Sequence, residues 1–479
     1  MTNHVARNTA FLTLASIGQK IIAFVYFLFV ARIMMPEATG EYFLAVSITV
    51  IFTVVADMGV TPVVIREVAR DPSRAAVLVR QALGLKIPLI LLACFGAIMT
   101  GRALGYGENL QFLIVLASVV LSLDAVHLLL YGVLRGFQVL RFESIGVFLG
   151  QGVTALAGGL VLWLAPSLPL LVVALMTGSV VNVCVAGRRV VLRLGSQALV
   201  PTFNHAQAKQ LLRAAFPFAL AALFVKVYSY VDSILISKFL DTTSVGIYAL
   251  AYKFTYAFQF LPLAFTAALY PGMSAVVEKD AASLERIFLK GLWYMGILAT
   301  PIVLGLFVIA PEAVRLAGSD YASAGPVLQT LVFVLVPIFL DFPVGSLLNA
   351  SGRQSTKTAI MGMTMVINVA LNLLFIPRFG ILGAAYAALV CFVFMFVAGM
   401  FFVPKVIPTF RYRHAARTLI PIFISGAVML GGVIMLKPLV GWLFVIPLGA
   451  AVYVVTLLCT KALHPHDLQF LLRTIRSRV

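Results

Sequence analysis

Acidic residues are scarce. The chain has 17 Asp and Glu against 35 Lys and Arg in 479 residues, a formal net charge of +18. So few carboxylates leave little from which to build a paired-acid glycosidase or transferase site. Charge of either sign is thin at 11% of residues, while 62% are hydrophobic, a balance that no soluble domain carries. Cysteine is nearly absent. Cys94, Cys184, Cys391 and Cys459 all fall in apolar stretches without metal-ligand spacing, and they read as small packing residues. The six histidines are scattered, with only His127 inside an apolar run. No G-x-x-x-x-G-K-[ST] phosphate loop, H-E-x-x-H or G-x-S-x-G occurs, so neither ATP hydrolysis at such a loop nor those hydrolytic chemistries are expected. No cofactor or metal is implied, and the chain reads as a transporter rather than an enzyme. The apolar runs are continuous rather than alternating, which excludes a transmembrane β-barrel.

What the chain has instead is one long apolar run after another, each able to cross roughly 30 Å of hydrocarbon as a helix. The expected fold class is an all-α polytopic membrane protein. Fourteen helices are predicted, at roughly 9–34, 41–65, 82–101, 110–134, 143–165, 168–189, 210–238, 244–275, 285–310, 323–350, 356–376, 381–407, 416–436 and 439–462. The first is too long for the core of a cleavable signal. With an inside N-terminus, 26 of the 35 basic residues fall in cytoplasmic segments, Lys86 and Lys357 among them. Six (Arg32, Arg102, Lys238, Arg315, Arg378 and Lys437) fall outside, and Lys20, Lys226 and Lys253 lie deep in spans. This positive-inside bias predicts a multi-pass protein of the plasma (inner) membrane with both termini cytoplasmic. The positive charge then serves topology and the anionic headgroups of membrane lipids, not nucleic acid.

The sequence repeats. Ser16–Arg32 and Ala222–Lys238 lie 206 positions apart, and at that offset Lys20 meets Lys226 and Arg32 meets Lys238. Gly40 then meets Gly246, and Tyr42 meets Tyr248, each after a short expected loop. Six helices per half is an even number, so the repeats should be parallel, related by an axis along the membrane normal. The predicted division is 1–190 (helices one to six), a basic cytoplasmic linker at 191–209, 210–408 (helices seven to twelve), and 409–479, which holds two appended helices and a basic tail. Pro217, Pro262, Pro271, Pro301 and Pro337 fall inside spans, where proline bends helices.

A lysine in an apolar span costs on the order of 2.5–3.5 kcal/mol. Lys20 and Lys226, at matching repeat positions, are expected to face each other across a central cavity, with Lys253 beside them. Arg32 and Lys238 close the outer ends of the lead helices. Tyr26, Tyr230, Tyr252 and Tyr256 crowd the same region. Cations in a polar cleft attract phosphate, and tyrosine adds a flat face with a hydroxyl, a mixture suited to a sugar joined to phosphate. An ordinary interfacial aromatic belt is the alternative for the tyrosines. Asp57, Asp124, Asp232 and Asp341 lie within or near spans and are candidates for proton or sodium coupling, or for structural ion pairs.

Several short motifs together carry a family resemblance. They are Arg7-Asn8, Ala31-Arg32 with Gly40-x-Tyr42, Asp57-Met58-Gly59 followed by Arg66, Asp232 with Gly246-x-Tyr248, and Gly352-Arg353. The most distinctive is Asn368-x-x-x-Asn372…Ile376-Pro377…Gly380-x-x-Gly383-Ala384-Ala385. In their order and spacing the chain resembles the polysaccharide transporter (O-antigen and exopolysaccharide flippase) family of the multidrug/oligosaccharidyl-lipid/polysaccharide exporter superfamily. The resemblance implies two six-helix lobes around a V-shaped cationic cavity. It implies alternating-access transport of a polyprenyl-pyrophosphate-linked oligosaccharide to the outer leaflet for cell-surface polysaccharide assembly, alongside a polymerase and glycosyltransferases as partners. A lipid II flippase, or a cation-coupled multidrug exporter of the same superfamily, are the alternatives. In the lipid II branch two extra C-terminal helices form a groove for the lipid tail. The family shares no strict set of functional residues, so the lysine assignment rests on position alone.

Overall fold

A computed structural model describes residues 2–463. The basic tail expected at 464–479, with His464 and His466, lies outside the described residues, as do the side chains of Arg7 and Asn8. Among the described residues every regular element is helical. Eleven helical stretches among these residues are long and apolar enough to span a membrane. Two of them, Ile17–Asp57 and Tyr412–Cys459, are each two helices meeting at a sharp break. The segment at 244–275, expected as one helix, is a broken pair. Fourteen apolar segments are thus accounted for.

The breaks follow from proline and glycine. In α1 (Thr2–Asp57) the chain turns at Met35, whose φ is 63°, just before Pro36. The residue preceding a proline is driven out of the helical region, while Pro36 itself suits a first helical turn. Helices one and two therefore meet at a single residue, and no loop separates them. The second helix ends at Asp57, and Met58 (φ 45°) and Gly59 (φ 73°) turn the chain into α2 (Val60–Arg70). The helix expected at 41–65 is broken there.

Ahead of it, α3 (Ala75–Ala103), α4 (Glu108–Gly136), α5 (Arg141–Leu164), α6 (Leu168–Leu194) and α7 (His205–Phe239) are continuous. The span expected at 244–275 divides into α8 (Thr242–Tyr256) and α9 (Phe260–Val276) around a 3-10 turn at Ala257–Gln259. The span at 323–350 divides in the same way, after α10 (Ala281–Arg315), into α11 (Ala324–Leu331) and α12 (Leu335–Ala350) around Val332–Val334. Pro262 and Pro337 are each the third residue of the later helix. A proline has no N–H for the carbonyl four residues back, which here belongs to Phe258 or Phe333 inside the 3-10 turn. Then follow α13 (Gln354–Phe379), α14 (Ile381–Phe402) and α15 (Tyr412–Cys459), the last broken at Gly441 (φ 79°).

The chain forms two compact units. The first comprises Met1–Lys253, Ala317–Asp320 and Met365–Ala384; the second comprises Phe254–Leu316, Tyr321–Thr364 and Ala385–Val479. In the first, one core joins α2, α3, α4 and α6 to the start of α7 through Val60, Val64, Leu83, Leu130, Leu211 and Ala215. The basic linker is clasped to α3. The Thr202 amide donates to the Arg80 carbonyl (3.0 Å), and Arg80 Nε donates to the Val200 carbonyl (3.2 Å). In the second unit, α15 is fastened along α10. Lys437 Nζ reaches a Glu312 carboxylate oxygen (2.9 Å) and the Val308 carbonyl (2.7 Å), and Trp293 Nε1 donates to the Ala462 carbonyl (2.7 Å).

Candidate functional site

Lys20, Lys226 and Lys253 converge within the first unit. Lys20, on α1, is close enough to repel both Lys226, on α7, and Lys253, on α8. Among the described residues none of the three forms an ion pair; Lys226 and Lys253 lie against aromatic rings instead, while Lys20 is exposed. Lys253 Nζ lies 5.1 Å from the Phe27 ring centre and 5.6 Å from that of Phe43. Lys226 Nζ lies 5.8 Å from the Tyr230 ring. These separations fall within the roughly 6 Å over which a ring face attracts a cation. The rings form a chain of their own. Tyr230 and Tyr252 are 6.1 Å apart, Tyr252 and Phe43 5.8 Å, and Phe43 and Phe27 6.5 Å. Three like charges held together with no acid paired to them among the described residues are an arrangement that attracts a polyanion.

Repeat symmetry shapes this region. The matched glycines lie against each other: a Cβ on Gly40 would strike the Thr242 carbonyl, and one on Gly246 would strike the Pro36 carbonyl and lie only 3.1 Å from the Gly40 nitrogen. The second helix and α8 thus cross backbone against backbone at equivalent points. At the same 206-residue offset, Asp232 corresponds to Tyr26 and Tyr248 to Tyr42. Asp232, 3% exposed, accepts hydrogen bonds from the Tyr248 hydroxyl and from the Ser233 amide (2.9 Å). Tyr26 is buried, its ring fitted against Gly158 of α5, and its hydroxyl has no partner among the described residues.

The remaining candidates lie elsewhere. Lys238, at the end of α7, donates to the Leu104 carbonyl and lies 4.4 Å from the Tyr106 ring, with Tyr106 bonded to Ser237 (2.7 Å). Arg32 is exposed on α1, and Tyr256 closes α8 in the second unit. Asp341 pairs with Lys357 at 2.5 Å inside the second unit. Asp124 accepts from Ser179 (2.6 Å), lies 3.4 Å from His127 and keeps 43% of its side chain open to a cavity of about 340 Å³.

Lys86 corrects the sequence reading. Counted among the loop cations, it is instead buried in α3, with 1% of its side chain exposed. Its ammonium donates to Asp57 Oδ1 (2.7 Å) and to the Ala125 carbonyl (2.8 Å), and Asp57 also accepts from Thr61 across the Met58–Gly59 break. A helix beginning at 82 keeps Lys86 close to its polar end; begun at Ala75, α3 carries Lys86 in about its fourth turn, beside Asp57.

Comparison with known proteins follows the same lines. Residues 5–277 match the family described as "Polysaccharide biosynthesis protein", and residues 217–374 match MatE. The chain is 29% identical over 186 residues to "Probable flippase AglR" of Haloferax volcanii, covering 38% of this chain and 39% of that protein. It therefore spans well under two thirds of that relative. It is 22% identical to "Probable low-salt glycan biosynthesis flippase Agl15" of the same organism, over 81% of each chain. Among solved structures, the lipid II flippase MurJ in an inward closed conformation aligns with a TM-score of 0.75 at 13% identity, covering 93% of this chain and 97% of that one. An inward-facing MATE multidrug transporter aligns at 0.70 and 17% identity, covering 84% and 99%. These likenesses fix the fold.

Proposed function

Since the chain belongs to the polysaccharide biosynthesis protein family, we propose that it is a flippase. It moves a polyprenyl-pyrophosphate-linked oligosaccharide from the cytoplasmic to the outer leaflet by alternating access, without enzymatic chemistry. The observation that carries this reading is the convergence of Lys20, Lys226 and Lys253 among aromatic rings with no acid paired to them among the described residues. A pyrophosphate neutralises such a cluster, whereas a cationic drug is repelled by it. Two relatives named as flippases support the same substrate class.

The lipid tail stays in the bilayer. An apolar cavity of about 310 Å³ between α10 and α15, lined by Phe258, Leu306, Met429 and Val445, supports a seat for part of the prenyl chain beside the two appended helices. We assign the protein to the plasma membrane with cytoplasmic termini, on the distribution of its basic residues. Asp57 and Asp341 are structural partners of Lys86 and Lys357 in this reading, which leaves Asp124 and Asp232 as candidates for proton or sodium coupling. Polymerase and glycosyltransferases are partners by family.

The test is reconstitution into liposomes with a fluorescent polyprenyl-pyrophosphate oligosaccharide and quenching of the outer leaflet over time. Protein-dependent translocation is expected. Absence of translocation, with ion-driven uptake of a cationic dye instead, overturns the flippase reading in favour of a drug exporter.

A further inference from the structure

The cavity beside Asp124 has a chemistry unlike that of the lysine cluster. It lies wholly within the first unit, at about 340 Å³, near the lower end of the roughly 300–1,000 Å³ typical of small-molecule sites. Among the described residues no lysine, arginine, phenylalanine, tyrosine or tryptophan lines it, and the carboxylate that does is Asp124. An anion has no lysine or arginine there, and a lipophilic cation meets no phenyl, phenol or indole face, only the His127 imidazole already set against Asp124. A metal has too few ligands: among the described residues no group of three or more His, Cys, Asp or Glu could hold one.

The wall offers hydrogen bonds instead. Thr49 donates its hydroxyl back to the Ala45 and Val46 carbonyls (3.1 and 3.0 Å) and Thr53 to Val50 (2.6 Å), so their oxygens present acceptors. Asp124 has one oxygen engaged by Ser179, and its other remains available. Gln19 and Gln151 line the cavity with amides that bond to no described residue, each offering both donors and an acceptor. Mixed donors and acceptors around a pocket with a single carboxylate suit a ligand whose every polar group both donates and accepts, which is the chemistry of sugar hydroxyls.

Gln19 also fixes where this site lies. It precedes Lys20 on α1, and consecutive helix residues point about 100° apart. One turn of α1 therefore supplies both the polar cavity and the cation cluster. We propose that this cavity is a glycan subsite. It binds a neutral sugar unit of the substrate by hydrogen bonds through Gln19, Gln151 and Asp124, next to the pyrophosphate held by the lysines. The proposal deepens the flippase reading and rests on it.

The experiment is saturation-transfer NMR on the purified full-length protein in detergent. One set of probes is the methyl glycosides of glucose, galactose and N-acetylglucosamine; the other is inorganic pyrophosphate. At least one glycoside is expected to bind, with affinity reduced tenfold or more in Gln151→Leu and in Asp124→Asn, while pyrophosphate binding stays unchanged. Lys226→Ala is expected to do the reverse. Glycoside binding that is absent, or equal in wild type and Gln151→Leu, overturns the subsite. So does sodium or a cationic dye binding in an Asp124-dependent manner with no glycoside response. Glycoside binding that needs Gln151, in a protein that fails to bind pyrophosphate, supports the subsite and overturns the lysine assignment alone.

Discussion

At the scale of single residues, two kinds of intramembrane lysine separate. Lys86 is enclosed by Asp57 and the Ala125 carbonyl, whereas Lys226 and Lys253 lie against rings and feel the charge of Lys20. Removing one member of a buried ion pair leaves the other charge stranded, at a cost of about 3–5 kcal/mol. Lys86→Met is therefore expected to lower thermal stability in detergent sharply, and adding Asp57→Asn should restore most of it. A double variant as unstable as the single would show that the lysine does more than neutralise Asp57. Lys226→Ala has the opposite signature. Folding is expected to be retained and substrate binding to fall in it, because a cation without an acid partner contributes little to stability. The sequence separated these classes only in part. Lys20 and Lys226 stood out because the repeat places them at matching positions. Lys86 escaped because a polar stretch on its N-terminal side resembles a loop, and only packing reveals that α3 has already begun. The Tyr248–Asp232 bond was equally hidden, since sixteen residues and a turn separate its partners.

At the scale of helices, prolines and glycines set the breaks, and the sequence marked most of them. Met35–Pro36 and Gly441 divide long helices where a loop was expected, while Pro262 and Pro337 divide spans expected to be continuous. The contact between Gly40 and Gly246 was not legible. The repeat marked both glycines as equivalent, but nothing in a linear pattern says that equivalents touch. A side chain at either point forces two helix backbones apart. Gly40→Ala or Gly246→Ala is expected to destabilise by about 1–3 kcal/mol. Gly159→Ala, with open space around it, should be neutral or stabilising by up to about 1 kcal/mol. Equal effects at all three sites in a thermal unfolding series would contradict the crossing. At the start of α10, outside the spans, Asp280 accepts from the Ala282 and Ser283 amides (3.0 Å each). The Ser283 side-chain hydrogen bond, ahead of the backbone bonds, holds its carboxyl below the ordinary 3.8. The stabilisation from this cap is complete above that ordinary value and is lost as pH falls through the lowered one. Asp280→Ala should speed amide exchange in the first turn of α10 near neutral pH, where the cap is fully charged.

At the scale of the whole molecule, the fold class and number of spans were readable because apolar length and positive-inside bias are properties of composition. The division into compact units was not. It groups α7 and most of α8 with the first six spans, a matter of tertiary packing that periodicity does not carry. Moving an anionic headgroup outward also couples transport to the membrane potential, at about 2.3 kcal/mol per charge per 100 mV. An imposed inside-negative potential should increase net outward movement, and dissipating it with an ionophore should abolish the increase.

The central claim is that three lysines hold the pyrophosphate during passage. The most direct measurement is the translocation rate of a fluorescent polyprenyl-pyrophosphate oligosaccharide in proteoliposomes containing wild type or Lys20→Ala/Lys226→Ala protein, with equal insertion verified. The account predicts that flipping by the double variant falls to the protein-free background. Flipping at the wild-type rate would contradict it and would leave the lysines as structural residues.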